Sequence, residues 1–162
     1  MSEGAVSHLL SSYAYFAFPN EADALAEAHR ILAPGGLFVE TSMGDTDWGH
    51  LPTFFQAVRP EETIPGPGEH WKSVEGVRST LSSAGFKDVE VREYPIGIPC
   101  ATAEAAVEMV FQIFPFVKAL MADMSGEEVE RARALMLEWV KGKHAEEPLV
   151  LAGTGLIGWG RK

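Results

Sequence analysis

Residues 6–43 constrain the fold more than any other stretch. They read VSHLLSSYAYFAF, then PNEADALAEAHRILAPGG, then LFVETSM. The first run is apolar and aromatic and is closed by Pro19. That is the pattern of a strand buried on both faces, expected at Ser7 to Ser12, followed by an aromatic loop. Asn20 then offers a helix N-cap, and Glu21 and Asp23 suit the positive end of a helix dipole. Leu25, His29 and Leu32 recur at i, i+4 and i+7. Pro34-Gly35-Gly36 stops the helix, because proline cannot continue the turn and glycine accepts left-handed angles. Leu37 to Met43 reads as the next strand. Two strands flanking one helix through short connections make a βαβ unit, with parallel strands and a right-handed crossover.

Beyond this unit the punctuation changes. Gly44 to Glu69 is rich in Gly, Pro, Asp and Thr and reads mostly as loop, with one or two helical turns at Leu51 to Val58. Pro60, Pro65 and Pro67 argue against longer regular structure there. Ser73 caps a second helix that carries Val74, Val77 and Leu81 on one face and ends at Gly85. Val89 and Val91 alternate with Glu90 and Arg92, the pattern of a half-exposed strand over Phe86 to Pro95. Thr102 opens a third helix with Val107, Val110, Phe111 and Phe114 on its apolar side, and Pro115 kinks or ends it. Ser125-Gly-Glu-Glu128 is a capping box before a fourth helix. Its expected stripe is Val129, Ala132, Met136, Trp139 and Val140, and Gly142 closes it. Leu149 to Trp159 is expected as a final strand.

Composition narrows the function classes. A chain of 162 residues suits one domain with a sizeable core. Its formal charge of −10 repels phosphate backbones, which argues against nucleic-acid binding. Cys100 is the single cysteine, so there is no internal disulfide and no Cys-rich zinc site. The first residues, Met-Ser-Glu-Gly, are acidic where a targeting peptide is basic. No uncharged apolar run approaches the roughly 20 residues that span a bilayer. The expectation is a soluble cytoplasmic protein that does not engage membranes.

Residues 6–43 resemble one region of the class I S-adenosylmethionine-dependent methyltransferases of the small-molecule type. That family has there a fourth strand, a loop, a helix reading E-x-x-R-x-L-x-P-G-G and a fifth strand. Here the motif stands as Glu27, Arg30, Leu32, Pro34, Gly35 and Gly36. The later order is similar too: Trp48 after the fifth strand, Ala84-Gly85-Phe86 ahead of the sixth, and Gly-Arg-Lys closing the last. The resemblance implies an α/β fold, a partial Rossmann-like sheet made of the family's fourth to seventh strands. Helices cover its faces, and a helical insertion at 102–141, a substrate lid or a core packed on the sheet, precedes the last strand. It also implies S-adenosylmethionine as cofactor and a small-molecule methyl acceptor. The family's glycine-rich loop, its acidic residue and its third-strand polar residue all precede the segment matched here. Residues 1–162 are therefore expected to form a single incomplete methyltransferase domain, its C-terminal half, binding the cofactor weakly or not at all alone and inactive by itself. The alternative is a non-catalytic interaction subunit that pairs an exposed strand with itself or with a complete methyltransferase.

Ser11, Ser12 and Tyr13 lie where the family's fourth strand meets its cofactor, and stand as cofactor-binding candidates through the resemblance. Trp48, His50, His70 and Trp71 follow the fifth strand and are the substrate-binding candidates. No catalytic residue is assigned. Asp45, Asp47, His50, Glu69 and His70 match no ligand spacing, so no metal is expected. Gly153-Thr-Gly-Leu-Ile-Gly158 spells a dinucleotide fingerprint, but only four residues follow it, too few for the helix it requires, and it reads as part of the final strand. His8 and His29 are expected at the core or its boundary, and His144 in a solvated polar turn.

Overall fold

In a computed structural model of the chain, residues 1–61 and 68–162 are described, and of Phe16, Pro115 and Phe116 only the backbone. Pro65 and Pro67, placed in the expected loop, lie outside the described residues. The chain divides into two compact units. The first comprises Met1–Asp45, Pro65–Ile96 and Gly153–Lys162, and the second Thr46–Ile64 and Gly97–Ala152.

The first unit is built on the βαβ pattern. Strand β1 spans Val6–Ser12, helix α1 Glu21–Ile31 and strand β2 Leu32–Thr46. Asn20 caps α1 by accepting from the Asp23 amide, and Glu27 and Arg30 meet on its surface at 2.7 Å. β1 and β2 pair in parallel, with Leu9 opposite Phe38 and Ser12 opposite Thr41. The expected helix stop at Pro34-Gly35-Gly36 lies inside β2, since α1 has already ended at Ile31. Register explains this. Val6 pairs with Leu32 but His8 with Leu37, so the extra residues form a bulge that Gly35, at φ +74°, relieves.

Strand β3 (Lys87–Cys100) runs on through Pro95 and Pro99, beyond the expected end, and strand β4 covers Leu149–Arg161. The sheet order is β1-β2-β4-β3. β4 is antiparallel to β2, since Lys162 bonds Gly35 and Gly36 while Gly158 lies by Glu40 and Thr154 by Gly44. Gly153 to Gly158 lies within β4, as expected. Helix α3 (Val74–Ser83) starts at its Ser73 cap and ends at Gly85, φ +95°. The core gathers Leu25, Leu32, Phe38, Trp71, Val77, Leu81, Phe86 and Leu156. Phe38 stacks on Phe86 at 4.8 Å between centroids, and Tyr15 meets the edge of Phe38 at 5.3 Å. Each such buried side chain contributes ~1.5–3 kcal/mol.

β1 departs from the expected strand buried on both faces. It is an edge strand, its residues alternate between half-buried and mostly exposed, and Leu10 is 75% exposed. Its apolar sequence would suit a mid-sheet position that this order of strands does not provide.

The second unit is mainly helical: α2 (Leu51–Val58), α4 (Ala103–Ile113), α5 (Pro115–Met121) and α6 (Gly126–Lys143). α2 and α4 pack on α6. The capping box at Ser125 and Glu128 is formed, and Ala132, Met136 and Val140 are buried as the stripe requires. Phe55 and Phe111 meet at 5.5 Å. Pro115 starts a further helix, α5, for which proline's missing amide is no handicap at the first position.

Candidate functional site

The carboxyl end of β1 carries one of the two positive-φ residues other than glycine among the described residues of the first unit, the other being Asp88. Tyr13 directly follows the strand at φ +50°, a region that costs a bulky side chain ~1–3 kcal/mol. Its amide donates to the Thr41 carbonyl at 3.1 Å and reaches the Thr41 hydroxyl at 3.2 Å. Thr41 Oγ1 lies 3.4 Å from Ser12 Oγ. The Tyr13 phenol, 37% exposed, is hydrogen-bonded to the Tyr94 phenol at 2.8 Å. Tyr94 comes from β3 and lies against Gly155 of β4, where an added methyl group would come within 2.4 Å of Tyr94 Cζ. Burial, and then the Tyr94 hydrogen bond, push the Tyr13 hydroxyl up to about 12. Both hydroxyls of the pair can donate and accept, but Tyr13 is not a base near neutral pH.

On the helix-covered side of β2, Glu40 is 1% exposed. Its Oε1 has no hydrogen-bond partner, nor have the buried Ser42 Oγ and Trp71 Nε1. Burial raises the Glu40 carboxyl to about 8, and Tyr15, whose hydroxyl is itself raised by burial and then by Glu40, lies nearby. His70 bonds Glu21 at 2.7 Å at the mouth of an open groove of about 490 Å³ between α1 and α3, lined also by Leu25, Thr80 and Ser83.

The second unit holds a separate polar centre. Asp47, 3% exposed, accepts from Lys143 at 2.6 Å, His144 at 3.2 Å and the Ala152 amide at 2.8 Å. Burial works to raise its pKa, but these donors, Lys143 foremost, outweigh it and hold the carboxyl below its ordinary value. His144 is thus half-buried and paired, not solvated as its sequence setting implies, because the end of α6 lies beside the segment that follows β2. His50 and Phe54 flank Trp139 at 5.1 and 6.0 Å, and Lys143 lies 5.0 Å above the same ring. Arg59 makes two 2.9 Å bonds to Glu128, and this guanidinium is the chief cause that draws Glu128 down to about 2.

Ser12 and Tyr13 are therefore joined with Thr41 and Tyr94, while Ser11 is half-buried on the neighbouring position of β1. Trp48 and His50 belong to the second unit, with Trp48 buried; His70 and Trp71 belong to the first, with Trp71 fully enclosed. Sequence reasoning did not single out Tyr94, Glu40 or His144 for these settings. For Tyr94 the one signal was Gly155, a small residue on a strand where a neighbour's ring needs room.

No family model matches the sequence. The chain is 26% identical over 161 residues to the methyltransferase ucsB of an Acremonium species, covering 99% of this chain and 55% of that protein. It thus spans about half the length of this curated relative. Its structure is similar to that of a candidate methyltransferase from Bacillus halodurans, with a TM-score of 0.56 and 17% identity, covering 100% of this chain and 72% of that one. A candidate methyltransferase of an antibiotic biosynthesis pathway in Anabaena variabilis matches with a TM-score of 0.57 and 14% identity, over 98% of this chain and 68% of its own. The sheet order, the βαβ unit with its P-G-G bulge and these likenesses agree: the chain is similar to methyltransferases in sequence and carries their Rossmann-like fold.

Proposed function

We propose that these 162 residues form one wall of an S-adenosylmethionine-dependent methyltransferase for a small-molecule acceptor, and that alone they bind that cofactor weakly or not at all. The observation that carries this reading is the place of β1 at the sheet edge. Ligands of open α/β sheets sit over the carboxyl ends of strands where strand order reverses. In the resembling family the strand equivalent to β1 lies mid-sheet beside the strand that leads into the glycine-rich loop. Here one flank of β1 is open, and its carboxyl end presents Ser12 and Tyr13.

The residues present fit one side of the cofactor. The hydroxyls of Ser12, Thr41 and Tyr13 supply neutral polar contacts there. The glycines from Gly153 to Gly158 do not supply the opposite side, since they lie within β4 and not at a strand-to-helix turn. When bound, S-adenosylmethionine supplies a methyl group activated by a sulfonium leaving group. The contribution of this chain is positional: the bent backbone at Tyr13 sets a phenol over the strand ends, where an acceptor is held in line. Isothermal titration of S-adenosylmethionine into the purified chain tests the reading. No binding in the micromolar range is expected, and micromolar affinity in a monomer contradicts it.

A second reading, a non-catalytic interaction subunit, is favoured by the same open strand and by the exposed Leu10 on it, since unpaired strand edges recruit other strands. Sedimentation separates the two: a chain that stays monomeric at high concentration, alone and with a complete methyltransferase, counts against it.

A further inference from the structure

Resting on the methyltransferase reading, we infer that the Tyr13–Tyr94 hydroxyl pair is an acceptor-positioning site whose ligand is a phenol or enol, held through its oxygen. The two phenols come from opposite ends of the sheet order, β1 and β3, and meet at 2.8 Å. Two features of the chain serve that meeting. Tyr13 adopts a positive φ that glycine or asparagine would adopt at lower cost, and Gly155 leaves the space that the Tyr94 ring fills. A strained residue held at a strand end by two contacts to Thr41 is a pre-set geometry, not a slack loop.

The chemistry of the group selects the ligand. One phenol donates to the other, which leaves one O–H to donate outward and lone pairs to accept. The two phenols are hydroxyl groups, not formal charges, and the separate Ser12–Thr41 hydroxyl pair at the end of β1 adds only neutral polar groups. A phosphate ester asks for cations and an ammonium for a carboxylate. Glu93, next to Tyr94 in sequence, is exposed and points to the other face of β3, as successive strand residues do; Arg92 lies 5.1 Å over the Trp159 ring and is 3.3 Å from Glu90. The chain's overall charge of −10 further disfavours dianions. A phenol or enol oxygen fits: it accepts the free O–H, and that donor steadies the oxygen as it becomes anionic. Because Tyr13 keeps its own proton to about 12, it does not take the acceptor's proton. The acceptor proton leaves to solvent, which suits acceptors acidic enough to ionise unaided.

The test uses the whole chain, without cofactor, labelled at its tyrosine rings for nuclear magnetic resonance. The probes are 4-nitrophenol, ethanolamine and inorganic phosphate. The expected result is that 4-nitrophenol alone moves the Tyr13 and Tyr94 signals and that its absorbance shifts toward the phenolate on binding. Tyr94→Phe and Tyr13→Phe, each checked for an unchanged fold by circular dichroism, should weaken binding about fivefold or more. The inference is overturned if ethanolamine or phosphate moves these signals in place of 4-nitrophenol, if no probe does, or if the Phe variants bind 4-nitrophenol as well as the parent chain. Failure of the methyltransferase reading is registered separately: it shows in S-adenosylmethionine binding, which this experiment does not use.

Discussion

At the residue scale, Glu40 and Tyr13 show how context overrides side-chain identity. Glu40 occupies a β2 position that is 1% exposed, and burial alone raises its carboxyl from an ordinary 4.5 to about 8. The sign is definite. Below about pH 4.5 both folded and unfolded states hold the proton; between 4.5 and 8 only the folded state does, so stability falls as pH rises through that window. Across it the loss from this one group is on the order of 5 kcal/mol. Glu40→Gln should therefore match the parent chain near pH 4.5, be the more stable near pH 8, and flatten the slope between, as read by urea unfolding. Equal slopes for both proteins would show that Glu40 ionises freely in the fold. None of this was legible from the sequence, where Glu40 is one acid in an apolar run. Its burial depends on β4 bringing Gly158 against it, where an added methyl group would lie 3.1 Å from Glu40 Oε1. Tyr94 and His144 were hidden for the same reason: their partners Tyr13 and Asp47 are 81 and 97 residues away in the chain.

At the element scale, local chemistry was readable and tertiary register was not. Asn20, Ser73, Thr102 and Ser125 all cap the helices their side chains announced. Such caps depend on residues three apart and nothing else. Ser125→Ala should lower stability by about 1 kcal/mol, seen as a drop in denaturation midpoint without a change in slope. An unchanged midpoint would mean that α6 is held by its buried stripe alone. β1 and β4 lie within two residues of their expected ends, whereas β2 and β3 run further. β2 absorbs Pro34-Gly35-Gly36 as a bulge, and β3 passes through Pro95 and Pro99, because pairing with neighbours far along the chain decides where a strand stops. β1 was read as doubly buried from its apolar run, yet burial needs a covering neighbour, and Leu10 has none over most of its surface. Leu10→Lys on this open edge should reduce any concentration-dependent association measured by sedimentation while leaving the helical content unchanged. Association that persists undiminished would place the contact elsewhere.

At the scale of the whole molecule, the order of elements carried most of the information. The P-G-G turn, the Ala84-Gly85-Phe86 helix end and the final glycine-rich strand gave the methyltransferase arrangement before any contact was known. The sheet order and the structural likenesses agree with it. The candidate site was only partly legible: Ser12 and Tyr13 do stand at a strand end, but Trp48 and His50 belong to one compact unit and His70 and Trp71 to the other. The central claim is that the donor-binding wall lies outside these residues. Its most direct measurement is calorimetric titration of S-adenosylmethionine into this chain, alone and then mixed with a separately produced polypeptide carrying the part of the Acremonium relative that this chain does not cover. The account predicts no micromolar binding to the chain alone and none to that fragment alone, with binding appearing in the mixture. Micromolar binding by the isolated chain, with no gain on mixing, would contradict it.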